Sequence, residues 1–388
     1  MGIGILSKHE VLTELHEPSG GGPRRISRPS QEPLAELVDR SAIDLPLGTD
    51  YWVMQGSCRA GVGMMVESDL IPRFSADPLP RHLDGDLVLD KDSVYLFKAD
   101  CRLNLQDTVI QGKATAKSSI GRLDVLVRLL CNRATEFDRI PAHYTGDLYV
   151  EITPITFNIV VRPGTCLSQL RLFRGVDRLV SMQKEEFDYE QIFPVVTDQK
   201  RFATNDPHEV AYPFGLNLQP DPRTGVSGFV ARQDVANPID PTLENHYTPD
   251  RFWEAAPLIR GEPNAIKLQR DRLYILRSVE HLRMPGHIAL ECKAYTETMG
   301  EWRIEYAGFA HPFFGWSRET GSPLMFEVRG HNIPTILTHG IPLGNVSFKR
   351  MSRYEPEPED ESDYGHYEQQ ELKLSKCFKD WPAQNERT

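Results

Sequence analysis

The sequence has little cysteine, and none of it is arranged as a metal or redox motif. Six cysteines occur in 388 residues, and no two have the Cys-x-x-Cys spacing of zinc ribbons and dithiol redox sites. They are Cys58, Cys101, Cys131, Cys166, Cys292 and Cys377. We expect each to be a small buried side chain in a reducing cytoplasm, and we expect no zinc site.

Long apolar runs and an excess of positive charge are also missing. No stretch approaches the roughly 20 apolar residues of a membrane-spanning helix, and the apolar start MGIGIL is interrupted by Lys8, His9 and Glu10. Acidic residues number 55 and basic residues 44, a net charge of −11 that repels phosphate backbones and anionic lipids. The sequence predicts a cytoplasmic protein without a secretory signal. It also predicts that the protein binds neither membranes nor nucleic acid polymers.

Short runs of β-branched and aromatic residues begin near residue 93. They include SVYLFKA, DLYVEIT, FNIVVR and LSQLRLF, separated by Pro, Gly and Asp. Such runs are typical of strands in an antiparallel barrel or sandwich. Between them LDVLVRLLCN, residues 123–132, has apolar residues at helical spacing and predicts one short helix. The fold class is therefore all-β with short helices.

The two halves of the chain repeat the same landmarks in the same order. Tyr95 in DSVYLF corresponds to Tyr274 in DRLYIL. Glu151 in LYVEI is followed 13 residues later by Gly164, and Glu327 in LMFEV is followed 13 residues later by Gly340. This pattern predicts a tandem duplication of one all-β unit.

Composition suggests where the units end. We predict a first domain over residues 1–203, a linker rich in Pro, Asp and Asn over 204–250, a second domain over 251–353 and an acidic tail over 354–388. Two interpretations of the tail stay open. It is either a solvated disordered segment or a segment that orders over a ligand, through groups on Tyr367, Gln370, Lys373 and Lys376.

Three kinds of residue are candidates for chemistry. The run Lys117-Ser118-Ser119-Ile120-Gly121-Arg122 offers cations and hydroxyls to a polyphosphate, although similar runs are common in surface loops. Glu151 and Glu327 lie on predicted strands. Each is either solvated or, if buried in a pocket, has a raised pKa suited to proton transfer.

The turns before the two glutamates form the third group. Residues 138–146 contain Arg139 and Tyr144, and residues 308–315 contain His311. Either turn is an ordinary hairpin, or it presents backbone groups and an aromatic face to the edge of a nucleobase.

The order of these segments carries a resemblance to a known family. SAIDLPLG, DSVYLF, KSSIGRLD, DRIPAHYTG, LYVEITP and VVRPGTCLSQLRLF together resemble the dCTP deaminases of the trimeric dUTPase-like superfamily, in their long, duplicated bacterial form. The resemblance covers residues 40–376 and implies tandem dUTPase-like β-barrel, or β-clip, domains. It departs from the family at Pro141-Ala142-His143-Tyr144, where the family has Asp-Pro-Gly-aromatic, and in the second half, where KAYTETMGEW replaces the phosphate motif.

The resemblance also implies site residues. The family's Arg-Ser-Ser-x-x-Arg phosphate motif falls on Lys117, Ser118, Ser119 and Arg122, with Lys in place of the first Arg. Its catalytic glutamate falls on Glu151, and its C-terminal lid resembles GHYEQQELKLSK. An alternative stays open: the hairpin and Glu327 of the second half complete the motif of the first.

The implied reaction is metal-free hydrolysis of dCTP to dUTP and ammonia, feeding pyrimidine deoxynucleotide synthesis. Glu151 would deprotonate a water that attacks C4, Ser118 would hold that water, and Arg122 would hold phosphate or the glutamate. Magnesium would arrive with the triphosphate. Alternatives are a dUTPase or bifunctional enzyme, for which Asp44 and Asp124 are candidate acids, and a non-catalytic nucleotide-binding protein. The superfamily implies a homo-oligomer, expected to be a trimer.

Overall fold

Strands dominate the structure, a computed structural model that describes residues 2–17, 22–183, 186, 189–194, 212–293, 302–304, 308–358 and 367–381. The helices are single turns: α1 (Lys8–Glu10), α2 (Ile71–Phe74), α3 (Ser118–Gly121), α4 (Asp177–Val180) and α5 (Tyr189–Ile192), with further helical turns at Val11–His16, Ala35–Leu37, Val66–Leu70 and Pro249–Arg251. Among the described residues, no helix has the length and apolar character needed to cross a membrane. The all-β prediction is confirmed.

The first half forms one large antiparallel sheet. Its strands run in the order β10-β8-β13-β4-β7-β11-β9, with short strands paired at the sides and a separate pair β12-β6. The strands are β1 (Gly4–Ile5), β2 (Ile26–Ser27), β3 (Val38–Asp39), β4 (Ala42–Met54), β5 (Arg81–His82), β6 (Leu87–Leu89), β7 (Val94–Asn104), β8 (Ile110–Ala116), β9 (Val125–Cys131), β10 (Arg139–Ile140), β11 (Thr145–Pro154), β12 (Ile159–Val161) and β13 (Cys166–Arg174).

The second half repeats this arrangement. Its large sheet has the order β16-β15-β19-β14-β25-β20-β22, with β23 beside β19 and β21, and a small sheet has the order β17-β18-β24. The strands are β14 (Tyr212–Asn217), β15 (Phe229–Ala231), β16 (Trp253–Ala255), β17 (Leu258–Ile259), β18 (Glu262–Leu268), β19 (Leu273–Leu282), β20 (Ile288–Lys293), β21 (Trp302–Ile304), β22 (Phe309–Ala310), β23 (Ser322–Gly330), β24 (Thr335–Thr338) and β25 (Pro342–Arg350).

Equivalent residues make equivalent contacts in the two halves, which confirms the duplication. The hydroxyl of Tyr95 accepts a hydrogen bond from the amide five residues earlier, at 3.1 Å, and Tyr274 does the same at 3.0 Å. Glu151 pairs with the residue after Tyr95, and Glu327 pairs with the residue after Tyr274. Gly164 and Gly340 both have positive φ, 85° and 79°, in the left-handed region that favours glycine.

The helix predicted over residues 123–132 is wrong, because this segment forms strand β9. Val127 and Leu129 point into the main core, while Leu130 packs in a second apolar cluster on the opposite face. A strand buried on both faces lacks the alternation of apolar and polar residues that distinguishes strands from helices.

The described parts of the predicted linker and tail are ordered. The predicted linker contributes β14 and β15 to the second sheet, because the apolar residues of YPFGLN and FVA pack in the cores. Residues 195–211 lie outside the described residues. Residues 367–381, which we call the C-terminal strap, bury Leu372, Leu374 and Phe378 in the main core. Residues 359–366, most of the acidic stretch, and 382–388 lie outside the described residues.

One hydrophobic cluster contains residues of both halves, and it fixes their mutual position. Phe157 of the first half lies edge-on to Phe252 and to Trp253 of the second, with ring centroids 5.8 Å apart in both pairs. Met325 on β23 belongs to the same cluster. This packing places β23 opposite α3.

Candidate active site

A cavity of about 270 Å³ lies between the two halves and the C-terminal strap. Nine of the residues predicted from the sequence line it: Lys117, Ser118, Ser119, Arg122, His311, Glu327, Tyr367, Gln370 and Lys376. The structure therefore brings together the phosphate motif of the first half, the hairpin and glutamate of the second half, and the strap.

The phosphate motif forms a single turn anchored in the first half. Lys117 follows β8 in an extended conformation, and its amide donates to the carbonyl of Leu167 at 2.9 Å. The buried Ile120 ties the turn to the core. The ammonium of Lys117 pairs with Asp44. Burial raises the pKa of Asp44, and the charge of Lys117 opposes that rise.

Glu327 is the buried carboxylate of this cavity. It lies on β23, its side chain is 8% exposed, and its Oε1 is 3.6 Å from Nε of Arg122. Burial raises the pKa of Glu327 to about 7, and the Arg122 guanidinium limits the rise. A carboxyl that titrates near neutrality both accepts and donates protons at physiological pH.

The strap covers Arg122 from the other side. The ring of Tyr367 stacks on the guanidinium, with 4.0 Å from Cζ to the ring centroid. Arg122 donates to the side-chain oxygen of Gln370 at 2.7 Å and to the carbonyl of Lys373 at 2.9 Å. The Lys373 side chain itself lines a neighbouring cavity. Arg122 is thus held between Glu327 and the strap.

The hairpin places a half-buried histidine in the cavity. His311 Nδ1 and the hydroxyl of Ser41 are hydrogen-bonded at 2.9 Å. Burial lowers the pKa of His311 to about 4, so the ring is neutral at pH 7. Arg40 donates to the carbonyl of Pro312 at 2.8 Å and fixes the turn against the first half.

Several lining residues were missed from the sequence. They are Asp39, Arg40, Gln169 and Glu368, among others. Asp39 and Arg40 precede β4, and Glu368 sits between two residues of the predicted strap. No local motif marks Asp39 or Arg40, because packing between distant segments brings them to the cavity. Glu368 lies inside the lid-like segment GHYEQQELKLSK, which the sequence did indicate.

Glu151, Arg139 and Tyr144 lie away from this cavity. The carboxylate of Glu151 accepts hydrogen bonds from the hydroxyl of Ser57 at 2.6 Å and from the amide of Cys58 at 3.2 Å. Burial raises the pKa of Glu151, and these two hydrogen bonds oppose the rise. Arg139 pairs with Glu136 at 3.3 Å. Tyr144 is buried and donates to a backbone carbonyl of its own turn.

The second-half counterpart of the phosphate motif, KAYTETMGEW, lies mostly outside the described residues. Asp124, a candidate acid for pyrophosphate release, pairs with Arg329. Within the described residues, no three His, Cys, Asp or Glu side chains are grouped so as to hold a metal ion.

The site between the two all-β units combines a carboxylate whose pKa is near neutrality, an arginine and a hydroxyl-rich turn. These groups are typical of an acid–base enzyme that processes nucleotides. The sequence models for the N-terminal and C-terminal domains of 2'-deoxycytidine 5'-triphosphate deaminase match residues 4–176 and 191–378. The chain belongs to the dCTP deaminase family, and it is an enzyme acting on dCTP.

One solved structure agrees with this assignment over most of the chain. The chain is similar to a 2'-deoxycytidine 5'-triphosphate deaminase from Agrobacterium tumefaciens, at 29% identity over 92% of this chain and 100% of that one, with a TM-score of 0.79. Two dUTPases match a smaller part of the chain, each with a TM-score of 0.20, which is too low to support the assignment. The EIAV dUTPase is 19% identical over 28% of this chain and 82% of that one. The dUTPase from phage phi11 of S. aureus is 15% identical over 28% of this chain and 84% of that one. No curated protein matches the sequence.

Proposed function

We propose that the chain hydrolyses dCTP to dUTP and ammonia in the cavity between its halves, with Glu327 as the proton carrier. The observation that carries this proposal is the contact of Arg122 with Glu327. It joins the phosphate motif of one half to a buried carboxylate of the other, with a pKa of about 7. The interpretation in which the second half completes the first therefore has the stronger support.

Glu327 begins the reaction as a carboxylate. It takes a proton from water while the water oxygen bonds to C4 of cytosine, and it passes that proton to N3. The tetrahedral carbon then carries a hydroxyl and an amino group. Glu327 moves the hydroxyl proton to the amino nitrogen, the C4–N4 bond breaks, ammonia leaves and the C4 carbonyl of uracil forms. We assign Ser118 to hold the water, since its hydroxyl lines the same cavity.

The charges around the motif favour a triphosphate in the same cavity. Lys117 just before α3 and Ser118 and Ser119 within it offer donors, and Lys376 offers a cation from the strap. We propose that magnesium arrives with the triphosphate, where it neutralises phosphate charge. The proposed steps themselves use this chain's own groups, and we assign no zinc.

We propose a structural role for Glu151. Its carboxylate already accepts the hydroxyl of Ser57 and the amide of Cys58. Trp52, Val66 and Leu70 belong to the apolar cluster that covers this face of the first sheet. Glu151 would then fix the covering segment, and each chain would have one site of the kind that Glu327 completes.

The test compares Glu327→Gln with Glu151→Gln in the full chain, incubated with dCTP and magnesium. Ammonia is assayed and nucleotides are separated by chromatography. We expect Glu327→Gln to lower kcat on the order of 100- to 10,000-fold and Glu151→Gln to keep kcat within a few-fold while unfolding more easily. Full activity in Glu327→Gln rejects the assignment. Accumulation of dUTP marks the deaminase, and dUMP with pyrophosphate marks the bifunctional enzyme.

We also propose a homotrimer in the cytoplasm. The trimeric superfamily that the sequence resembles supports the assembly, and the six cysteines, all free thiols, suit a reducing compartment. Light scattering of the purified chain tests the trimer. A mass of one or two chains would contradict it.

A further inference from the structure

A second ion pair crosses between the halves beside Arg122 and Glu327. Asp124, two residues after Arg122, pairs with Arg329, two residues after Glu327. The charges are reversed: the first half contributes Arg then Asp, and the second half contributes Glu then Arg. Neither Asp124 nor Arg329 is among the residues that line the cavity.

Asp124 is held firmly in an unfavourable backbone conformation. It is 1% exposed and has a φ of 58°, in the left-handed region that favours glycine. Its amide donates to the carbonyl of Gly121 at 3.0 Å, and its carbonyl accepts from Ile155 at 2.9 Å. A strained residue persists only where its surroundings fix it. Asp124 is therefore the fixed point at which α3 turns into β9.

Arg329 is fixed from its own half and from the other. It donates to the backbone carbonyl of Asp271 at 2.6 Å and to the hydroxyl of Thr156 at 3.0 Å. The same Thr156 hydroxyl donates to Asp124. Because alternate residues of a strand share a face, fixing Arg329 also fixes the side of β23 that carries Glu327.

We propose that Asp124 and Arg329 form a positioning pair that sets the separation of Glu327 from Arg122. The inference rests on the proposed function, because it assigns the pair to the geometry of that site. Both residues act through the backbone to which the reacting groups are attached. Their loss therefore affects the rate of the chemical step more than the binding of dCTP.

The test uses Arg329→Met, Arg329→Lys, Asp124→Asn and the double variant Asp124→Asn/Arg329→Met. We expect Arg329→Met to lower kcat on the order of 10- to 100-fold, as a misplaced reacting group does, with KM changed by less than about threefold. Arg329→Lys, which keeps the charge, should retain most of the rate. The double variant should be no slower than Arg329→Met, because the two changes remove one interaction.

Glu10→Gln is the matched control. Glu10 is also 1% exposed and pairs with Arg174 at 2.6 Å, away from the cavity. It should lower the melting temperature while leaving kcat unchanged. Equal loss of kcat in Glu10→Gln and Arg329→Met, full kcat in Arg329→Met, or additive losses in the double variant would each overturn the inference.

A crystal structure of Arg329→Met separates this inference from the proposed function. The distance from Arg122 Nε to Glu327 Oε1, 3.6 Å here, should lengthen. This holds even if the wild-type chain releases no ammonia, a result that would reject the proposed function alone. An unchanged distance overturns the positioning role whatever the activity.

Discussion

Replacing Glu327 by Gln should remove activity and, above neutral pH, make the protein more stable. Burial raises the pKa of Glu327 from 4.5 to about 7, so the folded state holds this proton more tightly than the unfolded state. The contribution of this proton to the free energy of unfolding is complete below about pH 4.5, and it is lost as the pH rises through 7. A shift of that size corresponds to about 3 kcal/mol.

Glutamine resembles the protonated carboxyl and does not titrate. At pH 5 residue 327 should therefore contribute nearly the same free energy of unfolding in the two proteins. Arg122 lies beside a neutral side chain in both, so any cost of that contact is also shared. At pH 8 the wild-type chain contains an ionised buried carboxylate. Between pH 5 and pH 8 Glu327→Gln should gain about 2 to 3 kcal/mol on the wild type, somewhat less than the full shift because unfolded Glu327 is already largely ionised at pH 5.

The assay measures the unfolding of both proteins in urea at pH 5 and at pH 8, with fluorescence as the signal. The difference in unfolding free energy between Glu327→Gln and wild type is then compared between the two pH values. All other titrating groups are shared and cancel in this comparison. Glu151→Gln, measured in parallel, controls for a buried carboxylate outside the cavity. An equal difference between wild type and Glu327→Gln at both pH values would refute the raised pKa and, with it, the reason for choosing Glu327 as proton carrier.

Two further predictions concern the strap and the thiols. Tyr367→Leu should raise the KM for dCTP about 5- to 30-fold, because it removes the stacking on Arg122 that is worth about 1–2 kcal/mol when buried. Tyr367→Phe keeps the ring and loses only the hydroxyl that accepts from the amide of Lys376 at 3.0 Å, so its KM should rise less. Equal effects of the two changes would contradict the stacking role. Cys101, Cys131 and Cys377 are buried, whereas Cys58, Cys166 and Cys292 are half-buried. Burial raises the pKa of Cys101, Cys131 and Cys377 to about 12, so a thiol reagent at pH 8 should react slowly with these three in the native chain and rapidly with all six cysteines in guanidinium. A fast native reaction at any of these three would contradict their burial.

Much of the fold could be predicted from local sequence because its signals are local. β-Branched runs separated by Pro, Gly and Asp predicted strands, and the matched positions of Tyr95 and Tyr274 predicted two equivalent units. The helix predicted over 123–132 failed because β9 carries buried apolar residues on both faces. The signal that separates a strand from a helix is the alternation that this burial removes.

The choice between Glu151 and Glu327 was beyond local signals. The family resemblance puts the catalytic glutamate on Glu151 and leaves Glu327 as the alternative. Both have the same register in equivalent strands, so their positions in the strands do not separate them. What distinguishes them is the partner that packing brings: Ser57 and Cys58 for Glu151, and Arg122 for Glu327. Contacts between segments some 200 residues apart leave no spacing to recognise.

The two halves have kept complementary parts of one ancestral unit. The first half retains the serine-rich turn, but its glutamate is occupied by the hydrogen bonds of Ser57 and Cys58. The second half retains a glutamate in the cavity, but its sequence has lost the Ser-Ser pair and the arginine of the motif. Neither half alone contains the set that the proposed chemistry needs. Because the ion pairs Arg122–Glu327 and Asp124–Arg329 have opposite polarity, they favour one alignment of the halves. Under the proposed assignment, each half supplies what the other lacks, and their fixed position in one chain keeps the two parts of the site together.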